Sequence, residues 1–200
     1  MHTLLDIVGS SFISGAVILS VLGLNGSVTN ASFQNNLEII TQENVAALAN
    51  MIEHDFYKVG YGANLSSPTP KLPIIYADSD KIVFRSDIDR NGKVDEVTYF
   101  CDRATVTVGE RSRSERTLFR FVNTPDDIPI YIGVTKFALS YYDENSRLLT
   151  PPSPRDSASL ARIRTIKLEM QLESPYTTEE NIAATYWQKY VSPKNIRLLK

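Results

Sequence analysis

The spacing of hydrophobic residues over positions 1–59 is helical, and it changes character halfway along. Residues 4–24 are apolar except for one charge, at Asp6, and for small polar residues. Beyond them, hydrophobic residues recur at steps of mostly three to five, which predicts an amphipathic helix with one apolar face. That face consists of Phe33, Leu37, Ile40, Val45, Leu48, Ile52, Phe56 and Val59. Gly60-Tyr61-Gly62 then supplies a stop signal.

A weak point is predicted between the two halves. Gly23, Asn25 and Gly26 lie there, and glycine costs about 1 kcal/mol relative to alanine inside a helix. We therefore expect a bend or a local interruption at these residues. Without one, a helix from Thr3 to Val59 would be about 85 Å long, at about 1.5 Å per residue.

The length of the apolar half fits a membrane. Residues 4–24 number 21, and about 20 apolar helical residues span a bilayer core. The alternative is a cleaved secretory signal, which has a basic start and a shorter apolar core. No Lys or Arg precedes Lys58. The pattern therefore favours a single membrane-spanning helix.

Asp6 is unusual in such a segment. An acid within a membrane helix is costly and is by default a functional residue with a partner. The nearest available cation is a free amino terminus, of the same chain or of a neighbouring copy. Alternatively, Asp6 marks the helix start, where a carboxylate suits the positive end of the helix dipole.

After residue 60 the pattern changes to β-strands. Short apolar or alternating segments predict strands at 74–76, 81–85, 94–100, 104–108, 117–122, 130–132, 134–142, 166–172 and 186–191. Proline-rich loops are predicted at 64–73 and 143–159, with a further loop at 175–181, a turn at 125–127 and a basic hairpin tip at 111–116. Residues 166–172 alternate strictly, so their apolar side should pack on the helix. The fold class is α+β, with a helical segment 1–59 and a β-rich head domain 60–200 on an antiparallel sheet.

Composition narrows the function. The 200 residues carry a net charge of −2 with a pI near 5.7, which argues against a nucleic-acid partner. The single cysteine, Cys101, excludes an internal disulfide and is expected to be a buried small hydrophobe. Motifs typical of hydrolases, zinc proteases and nucleotide-binding loops are missing from the sequence. We therefore predict a protein without catalytic residues.

The turn between the strands at 81–85 and 94–100 has two interpretations. Asp87, Asp89, Asn91 and Asp95 occupy positions 1, 3, 5 and 9 of a calcium-loop pattern, with Gly92 at position 6. However, position 12 is Thr98 where the pattern requires a bidentate glutamate, and helices do not flank the loop. The alternative, which the pattern favours, is a polar Asn-Gly turn whose aspartates cap the loop backbone. No cofactor is expected beyond this candidate Ca²⁺.

Four stretches carry a resemblance to a known family. The start, His2-Thr3-Leu4-Leu5-Asp6, is similar to the pilin start of aromatic-Thr-Leu-Ile-Glu, with Asp in place of Glu. Residues 44–61 resemble the helix exit of minor pilins of the W and J type, and residues 80–100 and 187–197 resemble their next hairpin and their C-terminal strand. The chain thus resembles the type IV pilins and pseudopilins.

This resemblance implies a structural subunit, minor or at the tip, of a type IV pilus-like filament or a type II secretion pseudopilus. Thr3, Leu4, Leu5 and Asp6 would be its assembly residues. Its partners would be copies of itself, other pilin subunits, an inner-membrane assembly platform and, before assembly, the lipid bilayer. It would cross the inner membrane once with an extracytoplasmic head, and then enter a cell-surface filament or a periplasmic pseudopilus.

The start of the mature chain sets the register of the acid. Pilins are made with a basic leader ending in glycine, and here Met1 alone precedes the pilin-like start. If the mature chain begins at His2, Asp6 is its fifth residue, the place of the family's assembly glutamate. If it begins at Met1, the acid lies one place late.

Two other function classes remain open. A single-pass, membrane-anchored binding module would need the helix only as an anchor, so that another span could replace it. A secreted enzyme with a cleaved signal would begin near Asn25.

Overall fold

The long helix dominates the structure. The computed structural model describes residues 2–62, 72–102, 106–108, 111–113, 116–123, 129–149, 156–173 and 184–198. Helix α1 (His2–Tyr57) has 56 residues, about 84 Å at about 1.5 Å per residue. It continues through Gly23 and Gly26, so the predicted interruption was wrong. Helix propagation is cooperative, and the long helical segments on both sides outweigh a local cost of about 1 kcal/mol per glycine.

The rest of the described chain is mainly antiparallel sheet. The strands are β1 (Ile74–Ala77), β2 (Lys81–Ser86), β3 (Asp95–Cys101), β4 (Val106–Val108), β5 (Arg111–Arg113), β6 (Arg116–Val122), β7 (Pro129–Tyr142), β8 (Leu148–Leu149), β9 (Thr165–Glu173) and β10 (Ala184–Val191). Eight of them form one sheet in the order β1-β2-β3-β6-β7-β9-β10, with β8 paired to β7, and β4 pairs with β5. A short helix α2 (Ser157–Arg162) precedes β9, and a 3₁₀ turn (Lys194–Leu198) follows β10. The predicted α+β class is confirmed.

Several predicted boundaries were wrong. The segment 111–116, predicted as a basic hairpin tip, contains β5 (Arg111–Arg113) and the first residue of β6. The segments 130–132 and 134–142 are one 14-residue strand, β7. Pairing with β6 runs from Pro129 across Gly133 to Val134, and pairing with β9 runs from Val134 to Tyr142. The predicted loop 143–159 contains β8 and the first turn of α2. Asp156 caps that helix by accepting a hydrogen bond from the Ala158 N–H, an N-terminal signal that the prolines outweighed in the prediction. The predicted turn at 125–127, the loop 175–181 and most of 64–73 lie outside the described residues.

The second half of α1 lies on one face of this sheet and shares its core. The side chains of Leu37, Val45, Leu48, Ile52, Phe56 and Val59 are buried, as predicted. Phe33 and Ile40 were predicted on the same face but are 48% and 51% exposed. Burial begins only at Leu37, and Thr41 takes the buried position one turn later, with its hydroxyl bonded to the Leu37 carbonyl at 2.7 Å.

The sheet contributes its alternating faces to the same core. On β9, every second residue is buried, as predicted: Ile166, Leu168, Met170 and Leu172. Helix α1 lies mainly along β9 and β10. The ring of Phe56 also contacts Phe84 on β2 and Tyr99 on β3, at centroid distances of 5.5 and 5.4 Å. The helix end is thereby fixed across the sheet.

Candidate functional site

The first half of α1 is an uncovered apolar surface. Large hydrophobic side chains from Leu4 (70% exposed) to Val28 (63%) face away from the rest of the chain. None of the most apolar 18-residue window of the helix is buried within the protein. By length and composition, this helix can cross a membrane.

Three hydroxyl groups in this segment are suited to an apolar environment. Ser11 and Ser20 donate to the carbonyls of Ile7 and Ala16 at 2.8 and 2.9 Å, and Ser10 also donates to Ile7 at 3.0 Å. An unpaired polar group in hydrocarbon costs several kcal/mol. Because the helix backbone satisfies these hydroxyls, the segment can enter a bilayer or an apolar helix bundle without leaving those donors unpaired.

The predicted assembly residues lie at the outer end of this surface. Thr3, Leu4 and Asp6 are exposed on the first two turns of α1. The side chain of Leu5 lies outside what the structure describes. Among the described residues, none pairs with the Asp6 carboxylate, so any partner that neutralises it in an apolar environment must come from outside that part of the chain.

A buried polar cluster joins the other end of α1 to the sheet. Oδ2 of Asp55, which is 2% exposed, accepts hydrogen bonds from the Tyr99 hydroxyl and from Arg120 Nε, both at 2.7 Å. Nδ1 of His54 lies 3.2 Å from the other oxygen of the carboxylate. Burial, followed by the nearby Asp55 charge, raises the pKa of Tyr99 well above its usual value, so its hydroxyl stays protonated and donates. The cluster fixes the helix to β3 and β6.

The acidic loop between β2 and β3 brings three of its four predicted residues together. One carboxylate oxygen each from Asp87, Asp89 and Asp95 lies within 4.8 Å of the other two. Asn91 is turned to the loop backbone: its side-chain oxygen accepts from the Lys93 N–H at 2.8 Å, and its amide donates to Asp89 at 2.6 Å.

The aspartates also cap the loop, as the alternative interpretation predicts. Oδ2 of Asp87 accepts from the Gly92 N–H at 3.1 Å, and Oδ1 of Asp89 accepts from the Asn91 N–H at 3.1 Å. Asp95 accepts from the Ile88 N–H at 3.3 Å and from the Asn123 amide at 2.8 Å. One oxygen remains over. Oδ1 of Asp87 is buried and has no hydrogen-bond partner among the described residues.

This loop is in contact with the end of the long helix. The N–H of Asp87 donates to the Tyr61 carbonyl at 2.8 Å, and the Gly60 N–H donates to the Arg85 carbonyl at 2.8 Å. Gly62 has a φ of +73°, and a Cβ there would lie 2.6 Å from Cβ of Asp87. Residues 60–62, which were predicted to end the helix, therefore also contact the acidic loop.

Sequence reasoning missed the Asp55 cluster. Its partners are 44 and 65 residues away along the chain, and β-strand alternation does not mark Arg120 as inward-facing. The one signal in the sequence was Asp55 itself, because this charged residue directly precedes Phe56, which belongs to the predicted apolar face.

A scan against protein-family models finds no match, and a search of curated proteins finds none either. The resemblance to pilins therefore rests on the residues at 2–6 and 44–61 and on the patterns that follow them.

Proposed function

We propose that this protein is a structural subunit, minor or at the tip, of a type IV pilus-like filament or a type II secretion pseudopilus. The observation that carries the proposal is the division of α1. From Leu37 onward one face of the helix is buried in the head, and over its first three dozen residues the helix is uncovered, with an apolar stretch at 4–24. The resemblance at residues 2–6 and 44–61 supports the same conclusion.

An uncovered apolar rod has two stable environments. Before assembly, the environment of the rod is the hydrocarbon core of a bilayer, which accepts about 20 apolar helical residues. After assembly, its environment is a bundle of equivalent helices, whose close approach is favoured by small residues such as Ser10, Ser14 and Gly15. A filament subunit passes from the first environment to the second without refolding its head, because the head core does not include the first half of the helix.

Asp6 would set the position of each added subunit. An unpaired charge buried in an apolar bundle costs several kcal/mol, and pairing it with a neighbour's terminal amine removes much of that cost. Only one axial offset between adjacent helices brings the two groups together. A membrane-anchored binding module, the runner-up function, needs the apolar span but gives Asp6 no such role.

The decisive experiment is the N-terminal mass of the native protein, measured separately in sheared surface material and in membranes. We expect a chain that begins at the pilin-like start, with a methylated amine, in the sheared fraction. Intact chain found in membranes alone, with an unmodified terminus, would contradict filament assembly and leave the anchored module. A start near Asn25 would indicate a cleaved signal and a secreted domain. Because a pseudopilus stays in the periplasm, the same mass is also measured in periplasmic filament fractions.

A further inference from the structure

The loop between β2 and β3 contains three clustered carboxylates, and hydrogen bonds to the loop backbone do not account for all of their oxygens. Two of its three clustered carboxylates are buried, with Asp87 5% and Asp95 7% exposed, and Asp89 lies at the surface beside them. Like charges held this close repel each other, and burial weakens the screening by water. The nearby ammonium group of Lys58 donates to the Ile88 carbonyl at 2.6 Å and forms no salt bridge with the three acids among the described residues.

The unpaired oxygen belongs to Asp87, one of the three clustered aspartates. The other carboxylate oxygens of the three aspartates accept from N–H donors, whereas Oδ1 of Asp87 is buried and has no donor within the described part of the chain. A buried polar atom without a partner costs about 1–3 kcal/mol. Ordinary turn capping explains the positions of Asp89 and Asp95 but leaves this atom unexplained, and a cation would satisfy it.

We propose that Asp87, Asp89 and Asp95 bind a calcium ion. The donor set consists of carboxylate oxygens, which hard divalent cations prefer. Two oxygens bound to one Ca²⁺ at about 2.3–2.6 Å lie no more than about 5.2 Å apart, and each pair of these three oxygens is within that limit, at 4.8 Å or less. Mg²⁺ requires shorter, octahedral contacts. Water and main-chain carbonyls complete the six to eight ligands of Ca²⁺.

The ion would stabilise the junction between the long helix and the head. The N–H of Asp87 donates to the Tyr61 carbonyl, and Cβ of Asp87 lies against Gly62. Ser86, one residue earlier, donates to the Lys58 carbonyl at 2.8 Å. Fixing the Asp87 carboxylate therefore also fixes residues 58–62, the turn that follows the helix. This role does not depend on the proposed filament function.

The test is Ca²⁺ titration of the full-length, detergent-solubilised protein after treatment with a chelator. Binding is followed by calorimetry and by thermal unfolding, with the fluorescence of Trp187, the single tryptophan, as the probe. We expect a dissociation constant of about 0.1–1 mM, the range of extracellular calcium modules. The unfolding temperature should rise with Ca²⁺ concentration and respond much less to Mg²⁺.

Matched variants separate a site from a general charge effect. Asp89→Asn is exposed and should fold normally, yet we expect it to weaken Ca²⁺ binding at least about tenfold; Asp87→Asn should do the same. Glu96→Gln removes an exposed acid on the adjoining strand and should bind Ca²⁺ like the native chain. Equal loss in Glu96→Gln and Asp89→Asn, or no Ca²⁺-dependent shift in the native protein, would overturn the site.

Hydrogen exchange tests the coupling to the helix exit. In Ca²⁺, the amides of Gly60 and Asp87, which bond across the junction, should exchange more slowly than with the chelator. The amide of Leu139, which bonds to the Ser79 carbonyl elsewhere in the sheet, is the internal reference. Equal slowing at Leu139 would show that the ion stabilises the whole fold and not this junction.

Discussion

Nε of Arg120 on β6 lies 2.7 Å from Oδ2 of Asp55, near the end of the long helix. The two residues are 65 positions apart in the chain, and the Asp55 side chain is 2% exposed whereas that of Arg120 is 22% exposed. The carboxylate is therefore a buried charge whose main partners, Arg120 and Tyr99, come from the sheet. The pair fixes the position of the C-terminal end of α1 on the sheet.

Asp55→Ala should be strongly destabilising. It removes the acceptor for both Arg120 and Tyr99, and breaking a buried pair costs about 3–5 kcal/mol. We expect a loss near the lower value, because Arg120 keeps some contact with water. Urea unfolding of the detergent-solubilised chain, followed by Trp187 fluorescence, measures the change.

The control is the Glu53–Lys189 pair, with the charged atoms 3.4 Å apart and both side chains partly exposed. Glu53→Ala should cost no more than about 1 kcal/mol. Equal losses in the two variants would show that the Asp55 cluster contributes no more than a surface ion pair.

Asp6→Ala should abolish incorporation into filaments while leaving the head folded. The residue is exposed and lies about 30 positions before burial begins at Leu37, so it contributes nothing to the head core. Sheared or periplasmic filament fractions should lose the variant, whereas membranes keep it. The unfolding midpoint of the head should be unchanged.

Asp6→Glu and Asp6→Asn refine this experiment. Glutamate keeps the charge and should support incorporation, because the pilin start that residues 2–6 resemble has Glu at the position of Asp6. Asparagine keeps the shape but cannot pair with an amine as an ion, and should fail. Normal incorporation of the alanine and asparagine variants would remove the proposed role of Asp6.

Gly62→Ala should destabilise the protein more than Gly92→Ala. Both glycines have positive φ, +73° and +84°, so each alanine pays about 1–2 kcal/mol for a left-handed backbone. At Gly62 the new methyl group would also meet Cβ of Asp87 at 2.6 Å, whereas at Gly92 nothing lies within 4 Å. The difference between the two unfolding free energies isolates the steric term. Equal losses would show that the helix exit tolerates movement away from the acidic loop.

Cys101 should be inert in the native protein. The side chain is fully buried, and burial raises the pKa of its thiol to about 11. The thiolate reacts with thiol reagents, and at about pH 8 it would be about one thousandth of the population. Labelling should therefore wait for unfolding and become complete in concentrated guanidinium chloride. Glu144→Cys, at an exposed turn, is the control and should react at once; fast labelling of Cys101 in the native chain would contradict its burial.

The sequence by itself determined the elements that depend on local pattern. The end of α1 just before Gly60, the hairpin of β2 and β3, the alternation of β9 and the uncharged character of residues 7–24 all follow from periodicity, turn residues and hydrophobicity. These signals act between near neighbours in the chain, so they can be read without knowing the fold. The acids of the β2–β3 loop were identified in the same way, from their spacing.

Tertiary structure decided which of these residues meet. It covered Leu37 and Thr41 but left Phe33 and Ile40 exposed. Phe33 lies before the sheet reaches the helix, and Ile40 lies off the face whose buried positions are Leu37, Thr41 and Val45. It paired Asp55 with Tyr99 and Arg120, since strand order and register, not local pattern, bring β3 and β6 beneath the helix end. It also placed Asp87 against Gly62 and left one oxygen of that carboxylate without a donor among the residues that the structure describes. Contacts between distant segments depend on the whole sheet, and a single sequence carries no local signal for them.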